Sequence, residues 1–448
     1  MIGDSGRTSA SIGRAHRRRA HRRGGTWYSR KRMIAGAASA VLAATGLAAC
    51  SSANAGTGPV TLTYYLYPDT SKATSTAISN CDKASGGKYT ISYQQLPQAA
   101  DGQRQQLVRR LAAHDASIDI MGLDVTWEAE FATAGWIEPW TGTYKAQAVN
   151  DTLVPALNTA IWKGKLYAVP ANTNTQLLWY RSDLVPTPPT TWAEMIKDAE
   201  QLAKAGKPHY IEIQGAQYEG ATVWFNTMVS SAGGTVLNPD ATKITLGAPA
   251  VKALTIMKQL ATSVAADPSL TVQMENQNRL QMEAGNAAFE LNYPFVYPGM
   301  KADNPKLFKV FKWALYPGIN PGQPAKVTIG GIDLAVSSYS QHKDLAFQAA
   351  LCLRNRENQL IGANVGGVPP TIASLYNDPK LFANYPFHAD ILKALQNASV
   401  RPKTPVYQVV SIDISHQISP AASINPVSTL QAMKGSLSNA LQSKGLVP

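Results

Sequence analysis

The segment VTLTYYLY, residues 60–67, begins the pattern that decides the fold. β-branched and aromatic residues fill it, which is typical of a buried strand. Two further strands are expected at 89–96 and at 118–123, where the sequence reads IDIMGL. Strands that alternate with helices favour parallel pairing, so this order predicts an α/β lobe. The intervening helices are expected at 73–83, 102–113 and 125–134.

The chain is too long for a single lobe of this kind. Taking a 49-residue leader from 448 residues leaves 399, whereas single cores stop growing at roughly 250–300 residues. Hydrophobic residues make up 45% of the chain and charged residues only 16%. This composition is typical of a folded globular protein, and two lobes are expected.

An export signal is expected at the start of the chain. The apolar run 33–46 is shorter than the roughly 20 residues that span a bilayer, and the small residues LAAC follow it at 47–50. This order is typical of bacterial lipoproteins, in which the cysteine is acylated and becomes the new N-terminus. We expect a signal peptide at 1–49 and a lipidated Cys50 with a flexible tether at 50–55. The protein would then be extracytoplasmic and anchored to the cell membrane.

Most of the formal charge of +12 lies in this leader. Ten Arg or Lys residues and one Asp precede Cys50, a surplus of nine, so about +3 remains for the rest. The Arg-rich stretch 16–23 fits a nucleic-acid-binding arm or a long basic start to the signal peptide. We favour the second, so no nucleic-acid partner is expected. Both Sec and Tat export fit the basic residues at 30–32.

The remaining cysteines, Cys81 and Cys352, are an even pair in an oxidising compartment, which predicts a disulfide. Two buried thiols are the alternative. The sequence has no CxxC pair or Cys/His cluster, and it lacks nucleotide-binding glycine motifs, HExxH and GxSxG. We therefore expect no cofactor, no metal and no enzyme activity. Two distant carboxylates that converge as a glycosidase pair, Asp124 and Glu275, stay open as an alternative.

Four later segments are similar to the extracytoplasmic solute-binding proteins of ABC importers, in the sugar-binding group that includes maltose-binding protein. The resemblance implies two interleaved α/β lobes of the type II periplasmic-binding-protein fold, joined by hinge crossovers, with the ligand between them. It places the lobes at 56–172 plus 293–335 and at 173–292 plus 336–448. The segments are KGKLYAVP (163–170), WYRSDLVPTPPTTW (179–192), MEAGNAAFELNYP (282–294) and GGIDLAV (330–336).

Three other stretches resemble the LpqY group of trehalose-binding lipoproteins from mycobacteria and their relatives. This resemblance implies a monomer that binds trehalose or a related disaccharide and delivers it to the transmembrane subunits of an ABC permease. A receptor for another oligosaccharide or for a glycerophosphodiester is the alternative. The stretches are NTQLLWYR (174–181), PGQPAKVTIGG (321–331) and RPKTPVY (401–407).

A disaccharide presents hydroxyl groups and apolar ring faces, so its site needs carboxylates, amides, Arg and an aromatic ring. Tyr293 stands where the related proteins more often carry Trp; a tyrosine offers less ring face and adds a hydroxyl. Asp69 is assigned weakly, because Ser71 also falls near the family's acidic position. The resemblance assigns ligand contact to Asp124, Asn174, Glu275, Tyr293, Arg401, Gln103, Gly367 and Asp69.

All of these residues except Asp69 also have a purely structural alternative. Asp124 fits a helix cap, and Asn174 fits a hydrogen bond within the hinge. Glu275 and Gln103 fit solvated positions near a helix start, and Tyr293 fits the core. The alternative for Arg401 is an exposed surface cation. For Gly366 and Gly367 the alternative is a simple turn, instead of backbone amides that approach the sugar closely.

Overall fold

The computed structural model describes residues 58–442; Cys50, the tether and the expected signal peptide lie outside them. The strands are β1 (Val60–Leu66), β2 (Tyr89–Gln95), β3 (Ile120–Asp124), β4 (Ile161–Trp162), β5 (Lys165–Leu166), β6 (Val169–Asn174), β7 (Leu177–Arg181), β8 (Tyr210–Glu212), β9 (Ala287–Asn292), β10 (Phe311–Ala314) and β11 (Gly330–Val336).

Seventeen α-helices and three short 3-10 helices (Leu270–Val272, Ala373–Asn377 and Ala421–Ser423) connect these strands in the described part. The α-helices are α1 (Ala73–Ala84), α2 (Ala100–Ala112), α3 (Glu128–Thr133), α4 (Gly142–Val149), α5 (Val154–Thr159), α6 (Trp192–Lys204), α7 (Glu219–Ser231), α8 (Ala248–Ala261), α9 (Glu275–Ala284), α10 (Val296–Asp303), α11 (Pro305–Phe308), α12 (Lys343–Leu353), α13 (Arg356–Gly366), α14 (Pro379–Phe382), α15 (His388–Gln396), α16 (Tyr407–Ile418) and α17 (Pro426–Leu441).

A five-stranded sheet in the order β2-β1-β3-β11-β6 forms the first half of the fold. Strand β1 is parallel to β2 and β3, as the alternation of strands and helices predicts, whereas β11 is antiparallel to its neighbours β3 and β6. The core on this sheet buries Leu62, Ile120 and Leu123 together with Leu107 of α2. The expected α/β lobe is therefore present.

A four-stranded sheet in the order β10-β7-β9-β8 forms the second half. Both of its faces are covered, one by a core that includes Leu178 and Phe289 and the other by a core around Trp179. Strand β7 reads as a continuous apolar run because it is buried on both sides. Helix α6 starts at a capping box of Thr191 and Glu194, which the sequence shows as Thr followed three residues later by Glu.

The chain passes between the two sheets several times, which gives the two-lobe periplasmic-binding-protein fold. Two segments join a different sheet from the one expected. Strand β10, inside the expected 293–335 segment, pairs with β7 because Phe311 fills the core around Trp179. Helix α12, inside the expected 336–448 segment, instead packs its alanine face (Ala346, Ala349) on the five-stranded sheet. Sheet membership is corrected for these two segments, and the other lobe bounds stay a prediction.

The structure bonds Cys81 of α1 to Cys352 of α12, with their Cα atoms 5.8 Å apart. The bond spans 271 residues of sequence and joins two helices on the same face of the five-stranded sheet. Within residues 58–442, we find no helix that has both the length and the apolar character to cross a bilayer.

We predict that Cys81 and Cys352 are oxidised in the mature protein. Thiol titration of denatured Cys50→Ala protein should find no reactive thiol before reduction and two after it. Replacing both cysteines by Ser should lower the free energy of unfolding in urea by up to about 5 kcal/mol, because the bond constrains a long loop in the unfolded chain. Two reactive thiols without reductant would contradict the pairing.

Candidate functional site

A cavity of about 820 Å³ lies between the two halves of the fold. Both sheets contribute to it, since β3 and β6 end there with Asp124 and Asn174, and β9 leads into it with Tyr293. All eight residues that the resemblance assigns to the ligand line this one cavity. Their convergence from sequence positions 69 to 401 is a result of the fold, and ligand contact by each stays a prediction.

Arg401 is the most connected of these side chains and is only 4% exposed. Its Nη2 lies 3.2 Å from Asp124 Oδ1, and its Nη1 lies 2.5 Å from Glu219 Oε1. Burial lowers the pKa of Arg401, but the negative charges of Asp124 and Glu219 outweigh it and the pKa is raised. The interpretation of Arg401 as an exposed surface cation is therefore wrong.

Asp124 has a structural role and a free side. Its Oδ1 accepts hydrogen bonds from the amide and hydroxyl of Thr126, 3.0 and 2.8 Å away, which fixes the turn before α3. The carboxylate still faces the cavity, with 19% of the side chain exposed. The interpretation of Asp124 as the cap of α3 is therefore wrong, since Trp127 is the cap residue of this helix; Asp124 holds the preceding turn and faces the cavity.

Both carboxylate oxygens of Asp69 accept hydrogen bonds from residues of the following loop and the start of α1. One oxygen accepts from the amide and hydroxyl of Ser71, and the other accepts from the amide of Thr74, 2.7 Å away. Burial raises the pKa of Asp69, but these hydrogen bonds outweigh it and hold the pKa below its ordinary value. Asp69 is an ionised carboxylate at the cavity wall that caps the start of α1.

Gly367, Gln103 and Asn174 serve the backbone around the cavity. The amide of Gly367 donates to the carbonyl of Ala363 at the end of α13 and forms a turn beside the cavity, and a close approach of this turn to the sugar stays a prediction. Its φ is +70°, and a Cβ at this position would lie 2.7 Å from Phe295 Cα, so only glycine fits. Gln103 donates to the carbonyl of Gln98, whereas Asn174 only accepts from the next amide and keeps its NH₂ group for the cavity.

Glu275 and Tyr293 face the cavity from the four-stranded sheet. Burial raises the pKa of Glu275, and the Tyr293 hydroxyl makes no hydrogen bond to any other described residue. Asn292, which is fully buried, holds both: its side chain donates to the Glu275 carbonyl at 2.9 Å and accepts from the Tyr293 amide at 2.8 Å. Asn292 therefore fixes the backbone at both residues, and the Tyr293 hydroxyl keeps its donor and acceptor for the cavity.

The residues that line the cavity but were not expected from the sequence include Tyr218, Glu219 and Arg279. The Tyr218 hydroxyl is buried without a hydrogen-bond partner in the described part of the chain, and its ring packs where a Cβ on Gly220 would stand. Glu219 is the first residue of α7, two residues before the apolar run that marks this helix in the sequence. The tryptophans Trp127, Trp179 and Trp224 belong to the cores.

A network of buried amides and carboxyls lies behind the four-stranded sheet, away from the cavity. Gln214 donates to Asn278 at 2.8 Å, and Asn278 donates to Gln273 at 2.6 Å. Glu212 and Glu290 face each other across β8 and β9 and are both fully buried. Burial raises the pKa of Glu212 to about 9 and that of Glu290 to about 8, so both carboxyls carry protons at neutral pH.

The sequence matches a known protein family over more than half of its length. Residues 82–359 match the family described as bacterial extracellular solute-binding protein. The chain belongs to this family. A probable ABC transporter-binding protein of Deinococcus radiodurans is 30% identical over 328 residues, which cover 70% of this chain and 77% of that protein. The mannitol-binding protein of Pseudomonas aeruginosa is 26% identical over 132 residues, 28% of this chain and 29% of its own length.

Two solved structures share the two-lobe fold. T. maritima MalE3, solved with maltose bound, superposes with a TM-score of 0.79 at 25% identity over 85% of this chain and 99% of that one. The GacH receptor of Streptomyces glaucescens gives a TM-score of 0.75 at 22% identity over 86% of this chain and 100% of that one. These relatives are substrate-binding proteins rather than enzymes, so the expectation that the chain is not an enzyme is confirmed, and the glycosidase alternative is dropped.

We predict that Glu212→Gln stabilises the protein increasingly as pH rises from about 5 to about 8. The folded pKa lies above that of an unfolded Glu, so wild-type stability is complete below the unfolded pKa and is lost as pH rises towards 9. Gln keeps the neutral form at every pH. The difference in free energy of unfolding should grow by at most about 1.4 kcal/mol per pH unit. Urea unfolding measures it, with exposed Glu357→Gln as the control; a difference independent of pH would contradict the buried, protonated Glu212.

Proposed function

We propose that this protein is the sugar receptor of an ABC importer and that it binds trehalose or a related disaccharide in the cavity. The observation that carries the proposal is the pairing of Arg401 with Asp124 across the cavity, where both groups face the enclosed space. Arg presents several N–H donors in a fixed plane and a carboxylate accepts from neighbouring hydroxyls, so the pair suits adjacent sugar hydroxyls.

The rest of the lining supports the same ligand class. Asn174 adds a donor on the five-stranded side, and Glu275 and the hydroxyl groups of Tyr218 and Tyr293 add acceptors and donors on the four-stranded side. The aromatic rings of Tyr293 and Phe295 supply apolar faces for a sugar ring. The volume of about 820 Å³ is within the range of small-ligand pockets, roughly 300–1,000 Å³.

The relatives' ligands also support a polyhydroxylated solute. Related solved structures contain maltose, tagatose, acarbose or ribitol, and the Pseudomonas protein is a mannitol-binding protein. The Deinococcus relative is described as a transporter-binding protein, which supports delivery to an ABC permease. Trehalose is the disaccharide that the resemblance of NTQLLWYR and RPKTPVY favours.

A glycerophosphodiester fits the lining less well. Arg401 is the one cation among the residues that the resemblance assigns to the ligand, and the cavity lining also includes Arg279. Arg279 is already paired, since its Nη1 lies 2.7 Å from both Glu283 and Asp303. With Arg401 also held between two carboxylates, the two cavity arginines have little charge left for a phosphate group.

Anchoring by a lipid on Cys50 belongs to the same proposal. The described residues begin at 58, so the lipobox at 47–50 supports the anchor through sequence alone. A receptor outside the cytoplasmic membrane that is tied to the bilayer stays beside its permease. The mature protein would act there as a monomer.

We predict micromolar binding of trehalose, about −8 kcal/mol, by isothermal titration of the protein from residue 51 onwards. Arg401→Gln should weaken it about 100-fold, because the sugar loses a charged donor and two carboxylates lose their counter-charge. Arg356→Gln is the matched control, since Arg356 pairs with Asp378 outside the cavity. No heat and no thermal shift with trehalose, maltose or other disaccharides would overturn the proposal.

We predict that Cys50→Ala abolishes lipid labelling and releases the protein from the membrane fraction. Metabolic labelling with a fatty-acid analogue, followed by fractionation, measures both effects. A Cys81→Ala variant controls for loss of an unrelated cysteine. If Cys50→Ala remained labelled and membrane-bound like the wild type, the proposed anchor would be wrong.

A further inference from the structure

The segment 401–408 belongs to the four-stranded side of the fold but contacts the five-stranded side at three places. Arg401 contacts Asp124, and Lys403 Nζ donates to the carbonyl of Ile161 at 2.6 Å. Gln408 Nε2 donates to Asp101 Oδ1 of α2 at 2.9 Å. Of these contacts, only that of Arg401 and Asp124 lines the cavity on both sides.

Arg401 reaches Asp124 from a buried anchor on its own side of the cleft. Glu219 is 7% exposed and accepts from Arg401 Nη1 at 2.5 Å and from the Tyr407 hydroxyl at 2.6 Å. The Ser411 hydroxyl donates to its other oxygen. Tyr407 and Ser411 lie one turn apart on α16, and Glu219 begins α7, so two packed helices fix the position of this carboxylate.

The two terminal nitrogens of the Arg401 guanidinium therefore contact different halves of the fold. Nη1 faces Glu219 inside one half of the fold, whereas Nη2 faces Asp124 in the other half. An arginine side chain has about 2 kcal/mol of rotamer entropy, and fixing one edge of its planar group fixes the direction of the other edge. The buried charge of Glu219 is compensated by Arg401, which makes each dependent on the other.

We propose that Glu219 is a positioning residue: it holds Arg401 extended across the cleft, so that closure of the two halves on a ligand depends on it. This inference rests on the proposed function for its ligand but not for its geometry. Without the Glu219 charge, the Nη1 edge of Arg401 loses its anchor and the guanidinium turns away from Asp124. The cross-link inside the cavity is then lost, whereas those of Lys403 and Gln408 remain. The sugar then meets a mobile donor and binds more weakly.

A double-mutant cycle separates positioning from a merely structural role. Trehalose is titrated into the wild type, Glu219→Gln, Arg401→Gln and the double variant. We expect Glu219→Gln to weaken binding at least tenfold, and the double variant to bind within twofold of Arg401→Gln, since Glu219 acts through Arg401. The matched control is Glu212→Gln, another buried carboxyl on the four-stranded side that lies outside the cavity, and it should bind within twofold of wild type.

A second measurement needs no ligand and therefore stands even if the proposed sugar is wrong. Without sugar, the backbone amides at 124–128, across the cleft from Glu219, should exchange their hydrogens at least threefold faster in Glu219→Gln than in the wild type. In protein that already carries Arg401→Gln, the further substitution Glu219→Gln should not change the exchange rate of the amides at 124–128. Unchanged exchange at 124–128, or effects of the two substitutions that multiply in either measurement, would overturn the positioning role. Absence of sugar binding by the wild type would overturn only the proposed function.

Discussion

The ion pair between Arg401 and Asp124 is the contact on which the functional part of the structure depends. One guanidinium, almost wholly buried, lies between the carboxylate of Asp124 on the five-stranded side and that of Glu219 on the four-stranded side. Removing one partner of a buried charge network leaves an uncompensated charge, which costs about 3–5 kcal/mol. The two halves are therefore joined by a group that also faces the ligand cavity.

The two sheets place this contact where a ligand reaches it. Strand β3 ends at Asp124, and open α/β sheets bind ligands beyond the carboxyl ends of their strands. On the other side, Asn292 fixes the backbone of Glu275 and Tyr293 through two hydrogen bonds, and a third joins its side chain to the protonated Glu290. Buried polar groups therefore support the cavity wall, while the NH₂ group of Asn174 and the hydroxyl of Tyr293 face the cavity with unused donors.

Much of this arrangement is predictable from the sequence, for identifiable physical reasons. The strand at 60–66 follows from β-branched and aromatic residues, and the helix at 192–204 follows from its capping box. The eight residues that the resemblance assigns to the ligand line one cavity, because the related sequences share this fold. Their contact with a ligand stays a prediction. Local patterns could not show that Arg401 is buried, that Glu219 pairs with it across 182 residues, or that β10 joins the four-stranded sheet. Those facts depend on long-range packing, which no periodicity in one segment encodes.

A crystal structure of the protein with trehalose is the most direct test of the role of the Arg401–Asp124 pair. We expect one sugar molecule in the cavity, with hydroxyl groups hydrogen-bonded to Arg401 and Asp124 and a ring face on Tyr293. Glu219 should still contact Arg401 in that complex. A sugar bound elsewhere, or one bound in the cavity with Arg401 turned away from both the ligand and Asp124, would contradict the account.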